Sequence, residues 1–343
     1  MLYVTTRSNS EIFTSFRAIS EIRAPDGGIF IPLKITPFNR EELIALTKLS
    51  INQRLARILN RILGLPVSGV DLDLHIGRNP VRLVTMSHRI GVAETWHNPE
   101  GCFGGLVKDI GKVFGLETEA NTPCLQMSVR IAALFAVYGE LLSRGILEEG
   151  MRFDISTVSG DFYGPMSGWY ARELGLPIEN IVCCCNENNG LWNLFYHGEF
   201  RTDQVCVNTG IPEADVTVPD GLECLVNACC GPQEAVRYLD AVRSGRLYCT
   251  DEYFDSLRSG FHVSVISEPG IMRTVPNLFS TSGTVLSSSG ALAYAGLLDY
   301  RSRMGVGRFG LILSDKSPEN DCINLAKAFG VSASDMREWL KKM

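Results

Sequence analysis

Apolar positions recur with helical spacing at several places along the chain. Leu55, Ile58, Leu59, Ile62 and Leu63 fall at i, i+3, i+4, i+7 and i+8, which predicts a helix burying one face, and Gly64 and Pro66 stop it. A second long amphipathic helix is predicted over Gln126–Leu142, where Met127, Ile131, Leu134, Phe135, Tyr138, Leu141 and Leu142 share a face and Gly145 closes it. Upstream, Asn39 is placed to cap a helix whose first turn carries Glu41 and Glu42. Leu2–Thr6 reads as a short strand and Glu11–Ile22 as a helix. That helix ends at Ala24-Pro25-Asp26-Gly27-Gly28, where glycines accept the positive φ of a turn, and Ile29–Pro32 leaves the turn extended. Val81–Met86 and Gly91–Trp96 read as strands flanking a turn, Gly101–Gly105 as a glycine-rich loop, and Lys108–Phe114 as the start of a helix.

The middle of the chain fixes the fold class. Phe153–Val158 reads as a strand, Ser159–Gly164 as a loop, Pro165–Leu174 as a helix ended by Gly175 and Pro177, and Ile181–Cys185 as the next strand. Strand, helix, strand is a βαβ unit, which implies a parallel sheet. Ala291–Tyr300, Gly310–Ser314, Asp321–Phe329 and Ser334–Lys342 add helix, strand, helix and helix. The expected class is α/β, a twisted and mostly parallel sheet flanked by helices. No internal repeat, low-complexity tract or flexible linker interrupts it.

Composition narrows the partners. Apolar residues make up 45% of the 343 positions, charged residues 20%, and the formal net charge is −6. This argues against nucleic acid or an anionic membrane surface as a main partner. No run of about 18 apolar residues predicts a transmembrane helix, and the first residues lack the basic-then-apolar pattern of a signal peptide. A cytoplasmic protein with reduced thiols is expected. The eleven cysteines include Cys183-Cys184-Cys185 and Cys229-Cys230, but neither cluster has C-x-x-C spacing and no metal site is assigned. Cys183–Cys185 follow Ile181-Val182 and are expected to continue a buried strand as small apolar residues.

The richest segment for chemistry runs from Ser159 to Ala171: Ser-Gly-Asp-Phe-Tyr-Gly-Pro-Met-Ser-Gly-Trp-Tyr-Ala. It follows a strand and opens a helix, whose free N–H groups and partial positive charge suit a phosphate. An ordinary β-to-α turn gives the same spacing.

Three segments together resemble the threonine synthases, pyridoxal-phosphate (PLP) enzymes. Ala24–Pro32 is similar to the family's A-P-D-G-G-L-Y-V-P, with Thr5-Thr6-Arg7 in place of its S-T-R. Ser159–Gly164 resembles the S-G-N-F-G-D/N loop that holds the cofactor phosphate, with Gly168-Trp169-Tyr170 in step. Gly175-Leu176-Pro177-Ile178, Asn186-Glu187-Asn188 and Gly198 follow at the family's spacing. The resemblance implies a fold type II PLP enzyme. It would be a lyase or β,γ-replacement enzyme acting on O-phosphohomoserine or a similar amino acid. Ser159, Gly160, Asp161, Phe162, Tyr163 and Gly164 would form the phosphate loop.

The departures matter as much. Asp161 stands where the family has asparagine and Tyr163 where it has glycine. A carboxylate about 5 Å from a phosphate charge costs roughly 3 kcal/mol per charge pair at an effective dielectric of about 20, and a tyrosine is expected to crowd the ligand. The imine-forming lysine of the family lies in H-G-P-T-x-A-F-K-D. Aligned without a gap from His97, Gly104 takes its place; with four extra residues, Lys108-Asp109-Ile110-Gly111 matches K-D-x-G and Lys108 is the catalytic lysine. The hydroxyl that meets the pyridine nitrogen would come from Ser288 or Ser289, a pair that also suits a helix cap. The expected organisation is an N-terminal threonine-synthase-like region, 1–95, and a large α/β domain, 96–343. The family's small domain would be missing between 115 and 150, where too little chain remains for it. Two functions stay open: a PLP enzyme, or a silent homologue that binds a ligand or partner. A homodimer and a partner subunit completing the cleft are the assemblies considered.

Overall fold

The computed structural model describes residues 1–86, 89–116, 121–248 and 251–343, with the side chains of 248 and 251–254 outside that description. Three strands open the chain: β1 (Leu2–Thr5), β2 (Phe13–Thr14) and β3 (Phe30–Pro32), antiparallel in the order β2-β1-β3. The expected helix Glu11–Ile22 is therefore shorter, Ser15–Ser20. Phe13 is drawn into β2 because its ring buries edge-on against Phe30, centroids 5.1 Å apart.

The central sheet contains β4 (Arg82–Met86), β5 (Ile90–Glu94), β6 (Phe153–Val158) and β7 (Ile178–Cys185). After a small ladder of β8 (Glu199–Arg201) with β9 (Arg246–Tyr248), it is completed by β10 (Phe261–Val265) and β11 (Gly310–Ser314). Its order is β10-β7-β6-β11-β5-β4. Every pair is parallel except β4 with β5. The mostly parallel sheet expected from the βαβ pattern is present. Its inner strands β6, β7 and β11 are buried on both faces, which is why they read as near-continuous apolar runs. Cys183, Cys184 and Cys185 are fully buried within β7.

Helices cover both faces. The longest, Pro123–Ser143, starts at Thr122, whose hydroxyl accepts from the Leu125 amide and donates to the Ile19 carbonyl, 2.9 Å. It is long and apolar enough to cross a membrane by length and composition, but 83% of its most apolar window is buried inside the protein. It occupies most of the described chain between 121 and 150. The helix expected from Lys108 begins earlier, at Phe103, and runs to Val113. The Phe103 amide donates to the Asp315 carbonyl at 2.7 Å, so a residue 212 positions away sets the first turn. Gly104 and Gly105, expected in a loop, are helical. Between 199 and 285 the structure adds helices the pattern gave no sign of, among them Leu222–Cys230, Pro232–Ser244 and Glu268–Ser282.

β6 leads by way of β7 to β10 on one side, while β11 lies on its other side. Strand order reverses between β6 and β11, and ligands of open α/β sheets bind beyond the carboxyl ends of strands at such a point.

Candidate functional site

Just beyond the carboxyl ends of β6 and β11 lies a cavity of about 420 Å³. One wall is the turn from β6 into the helix Tyr163–Glu173. Gly160 takes φ +39° and passes so close to the Glu213 carbonyl that an added Cβ would sit 2.6 Å from it. Phe162 adopts a left-handed φ of 69°, strained for a side-chain-bearing residue. Its ring is anchored in the core against Phe195 and Phe261, centroids 6.4 and 5.9 Å away. Among the described residues, the N–H groups of Gly160, Asp161 and Gly164 meet no hydrogen-bond acceptor. The Tyr163 N–H is taken by the Asp161 carboxylate at 2.9 Å. The turn thus keeps free donors toward the cavity but places a carboxylate among them.

The opposite wall comes from the end of β11 and the start of the helix Phe103–Val113. Cys102 and Lys316 pair as an isolated antiparallel bridge, which holds Cys102, Phe103 and Gly104 beside Asp315 and Lys316. Arg130, from the buried helix Pro123–Ser143, is 8% exposed and pairs with the Asp315 carboxylate. Its guanidinium lies 3.7 Å from the Phe103 ring centroid. Asp315 also accepts from the Thr95 hydroxyl at 2.8 Å. Lys316 Nζ reaches Glu213 at 2.8 Å and Asp321 at 3.7 Å. Burial pulls the Lys316 ammonium down, but these two carboxylates outweigh it and hold the group above its ordinary value. Asp161 is shifted up: its side chain opens to the cavity yet lies deep in the fold. The lost hydration outweighs the Tyr163 N–H and the Arg130 charge that favour its ionised form. Among the described charged groups of the lining, Arg130 and Lys316 face three carboxylates, Asp161, Glu213 and Asp315.

The residues named from sequence divide into two groups. Gly160, Asp161, Gly164 and Ser289 line the cavity. Ser159, Phe162 and Tyr163 serve the turn from behind. The Ser159 hydroxyl accepts from the Cys185 thiol at 3.2 Å, and Tyr163 turns its ring away from the cavity to donate its phenol to Asp220. The expected crowding by Tyr163 does not occur. Ser288 also faces away: its amide donates to Asp321 and its hydroxyl accepts from Asn324 at 3.4 Å. Lys108 lies one helical turn beyond Gly104, about 5–6 Å along the axis, and does not line the cavity. Its Nζ is held by both Glu100 oxygens, at 3.1 and 3.2 Å. Gly104 lines the cavity instead, and an added Cβ there meets only the Cys102 sulfur, at 3.8 Å.

Sequence reasoning missed Arg130, Glu213, Asp315 and Lys316. Two signals were present: a lone arginine on an otherwise apolar helix face, and an Asp-Lys pair directly after a buried strand. Both are features of a charged site built at the end of a parallel sheet.

Comparison with known proteins bears on the same features. No family model matches the chain. The human threonine synthase-like 1 is 23% identical over 175 residues, 46% of this chain but only 22% of that protein. The Pseudomonas aeruginosa threonine synthase is 22% identical over 179 residues, 51% of this chain and 38% of that enzyme. The match therefore spans well under half the length of either relative. Solved structures agree over nearly the whole chain. A PLP-bound threonine synthase from Brucella melitensis superposes with a TM-score of 0.81 at 16% identity, covering 99% of this chain and 94% of that one. The yeast enzyme gives 0.82 at 13% identity, covering 100% and 94%. The chain has the fold type II architecture of these enzymes, and PLP is the cofactor of the group. Motif, partial sequence match and fold thus agree in what this chain is similar to, the threonine synthases.

Proposed function

We propose that the chain is a threonine synthase homologue whose cleft binds a small ligand but no longer runs the family's lysine chemistry through Lys108. The observation that carries this is Gly104. It occupies the cavity wall where the gapless alignment puts the imine lysine, while Lys108 is engaged by Glu100 one turn away. The segment Asn98–Glu100 packs over this part of the helix, so that a Cβ on Gly105 would meet the Asn98 and Glu100 side chains at 2.3 and 2.8 Å.

The residues present do not fit PLP as the family's motifs hold it. Gly104 offers no amine, Lys108 stands off the cavity beside Glu100, and Asp161 places a carboxylate among the donors of the phosphate turn. Three carboxylates against two cations disfavour a phosphate dianion further. The same lining suits a ligand with at most one negative charge. An amino acid zwitterion fits, its carboxylate near Arg130 and the free amides and its ammonium toward Glu213 or Asp315. A reducing compartment, the cytoplasm, fits the ten described cysteines, all free thiols.

The test is calorimetric titration of the purified protein with a panel of amino acids and with PLP, on wild type and Lys108→Ala. Binding of an amino acid that Lys108→Ala leaves unchanged supports the reading. A visible PLP band trapped by borohydride and lost in Lys108→Ala refutes it. A second reading, PLP-dependent elimination or replacement on O-phosphohomoserine or a similar amino acid, is favoured by the unpartnered amides of Gly160, Asp161 and Gly164 and by Ser289 in the lining. It requires phosphate release from O-phosphohomoserine that depends on added PLP.

A further inference from the structure

We propose that Lys316 is the reactive amine of the cleft, taking over the space opened by Gly104, and that it condenses reversibly with small, uncharged aldehydes of the unphosphorylated pyridoxal type. This rests on reading the cavity as a small-molecule site and names the group that would act in it.

Three observations carry it. First, Lys316 is the one lysine of the cavity lining among the described residues. Second, its backbone pairs with Cys102, two residues before Gly104. Bridge partners have Cα atoms about 4.5–5.5 Å apart, and an extended lysine carries its amine about 6 Å from its own Cα, by bond lengths of about 1.5 Å. Lys316 is thus rooted next to the vacated position and can sweep the same space. Third, that space is open, since a Cβ on Gly104 would meet only the Cys102 sulfur.

The chemistry balances without any further reagent. The Lys316 ammonium, held by Glu213 at 2.8 Å, first loses a proton to solvent base. The free amine attacks the aldehyde carbon, a C–N bond forms, and the carbonyl electron pair moves to oxygen, which takes up the proton. Loss of that oxygen as water leaves a protonated imine. Ammonium plus aldehyde gives iminium plus water, so the charge facing Glu213 and Asp321 is conserved. The groups around the amine are acidic apart from Arg130: Glu213, Asp321, Asp315 and Asp161. They favour a cationic adduct and oppose a phosphate on the aldehyde. Because Glu213 and Asp321 hold the ammonium, capture should grow as pH rises above neutral.

The test is reductive labelling of the whole protein with pyridoxal and cyanoborohydride, followed by peptide mass mapping. The variants are Lys316→Arg, which keeps the positive charge and cannot form an imine, Lys108→Arg and Gly104→Lys. Thermal melting checks that each is folded. The expected result is dominant labelling of Lys316, lost in Lys316→Arg, kept in Lys108→Arg, increasing with pH, and weaker with PLP than with pyridoxal. Label confined to Lys108 or spread over surface lysines, with Lys316 unmodified, overturns the proposal. If Lys316 stays unlabelled while the new lysine of Gly104→Lys is labelled, the cavity admits the aldehyde. In that case only the assignment of Lys316 fails. If neither lysine is labelled, the assignment fails too, and amino-acid titration then decides whether the cleft binds small molecules at all.

Discussion

Replacing Asp161 by asparagine isolates the charge that sets this phosphate turn apart. The substitution is nearly isosteric, and an amide oxygen can still accept the Tyr163 N–H that now lies 2.9 Å from Asp161 Oδ1. Backbone geometry should therefore persist while one negative charge disappears. An anion resting on the amides of Gly160 and Gly164 would sit about 5 Å from that carboxylate, where an effective dielectric of about 20 gives roughly 3 kcal/mol of repulsion per charge pair. Asp161 is open to cavity water, which screens it, so the expected gain is about 1–2 kcal/mol, or about 5–30-fold tighter anion binding. Sulfate is the cleanest probe, because it stays a dianion over the working pH range. In wild type its affinity should improve as pH falls through the raised Asp161 pKa, and in Asp161→Asn that dependence should flatten. Stability gives an independent reading with a fixed sign. The folded-state pKa lies above the unfolded one, so the cost of the buried charge is present above the raised value and vanishes below the ordinary carboxylate range. Asp161→Asn should therefore melt higher than wild type near neutrality, and the difference should shrink toward acid. Calorimetric titration with sulfate and a melting series against pH measure both effects. Equal or weaker sulfate binding in Asp161→Asn would refute the argument that this carboxylate guards the turn.

Other perturbations test the remaining parts. Lys108→Ala removes a half-exposed ion pair and should change unfolding free energy by no more than about 0.5–1 kcal/mol in a urea titration; a larger loss would mean that Lys108 supports the fold. Gly296→Ala should destabilise by about 1–3 kcal/mol, since the added Cβ would fall 2.2 Å from the Cys184 sulfur. Adding Cys184→Ala should recover part of this in a double-mutant cycle, and strictly additive effects would show the contact is not felt. In thiol labelling of the native protein near pH 8, the part-exposed Cys102 and Cys206 should react while Cys183, Cys184 and Cys185 do not. Burial pushes Cys184 up to about 12 and Cys185 to about 11. Rapid labelling within Cys183–Cys185 would contradict a buried β7.

What the sequence disclosed of the fold was local. Caps and stop signals sit within a turn of the elements they bound, so Asn39, Ser159–Gly164 and Gly64 could be read directly. Asn39 does cap, in a reciprocal pair with Glu42, and Gly64 ends its helix at φ 65°. Phe13 shows the limit. Its neighbours read as helical, and only a ring from β3, brought close by the turn at Ala24–Gly28, pulls it into a strand. The helices between 199 and 285 went unread for a related reason. Leu222–Cys230 and Pro232–Ser244 dock against one another, and Glu268–Ser282 does bury a stripe of Ile271, Val275 and Leu278, but Pro269, Gly270 and Pro276 within that segment hide it from a pattern reading.

The cleft was harder still, because what decides it is a distance between segments far apart in the chain. Two registers were open on paper, and Lys108-Asp109-Ile110-Gly111, with Phe114 in step, favoured Lys108 over Gly104. What decides which of the two residues meets the cavity is the Phe103 amide bonding to the Asp315 carbonyl and Cys102 pairing with Lys316. Those contacts start the helix at Phe103, bring Gly104 to the cavity wall and leave Lys108 a turn away beside Glu100. The same contacts bring in a lysine that no family motif singles out. The presence of both Gly104 and Lys316 on the cavity wall therefore follows from a single join between the helix start and the end of β11. A substitution that loosens that join, rather than one at either lysine, should change the chemistry available to both walls of the cleft at once.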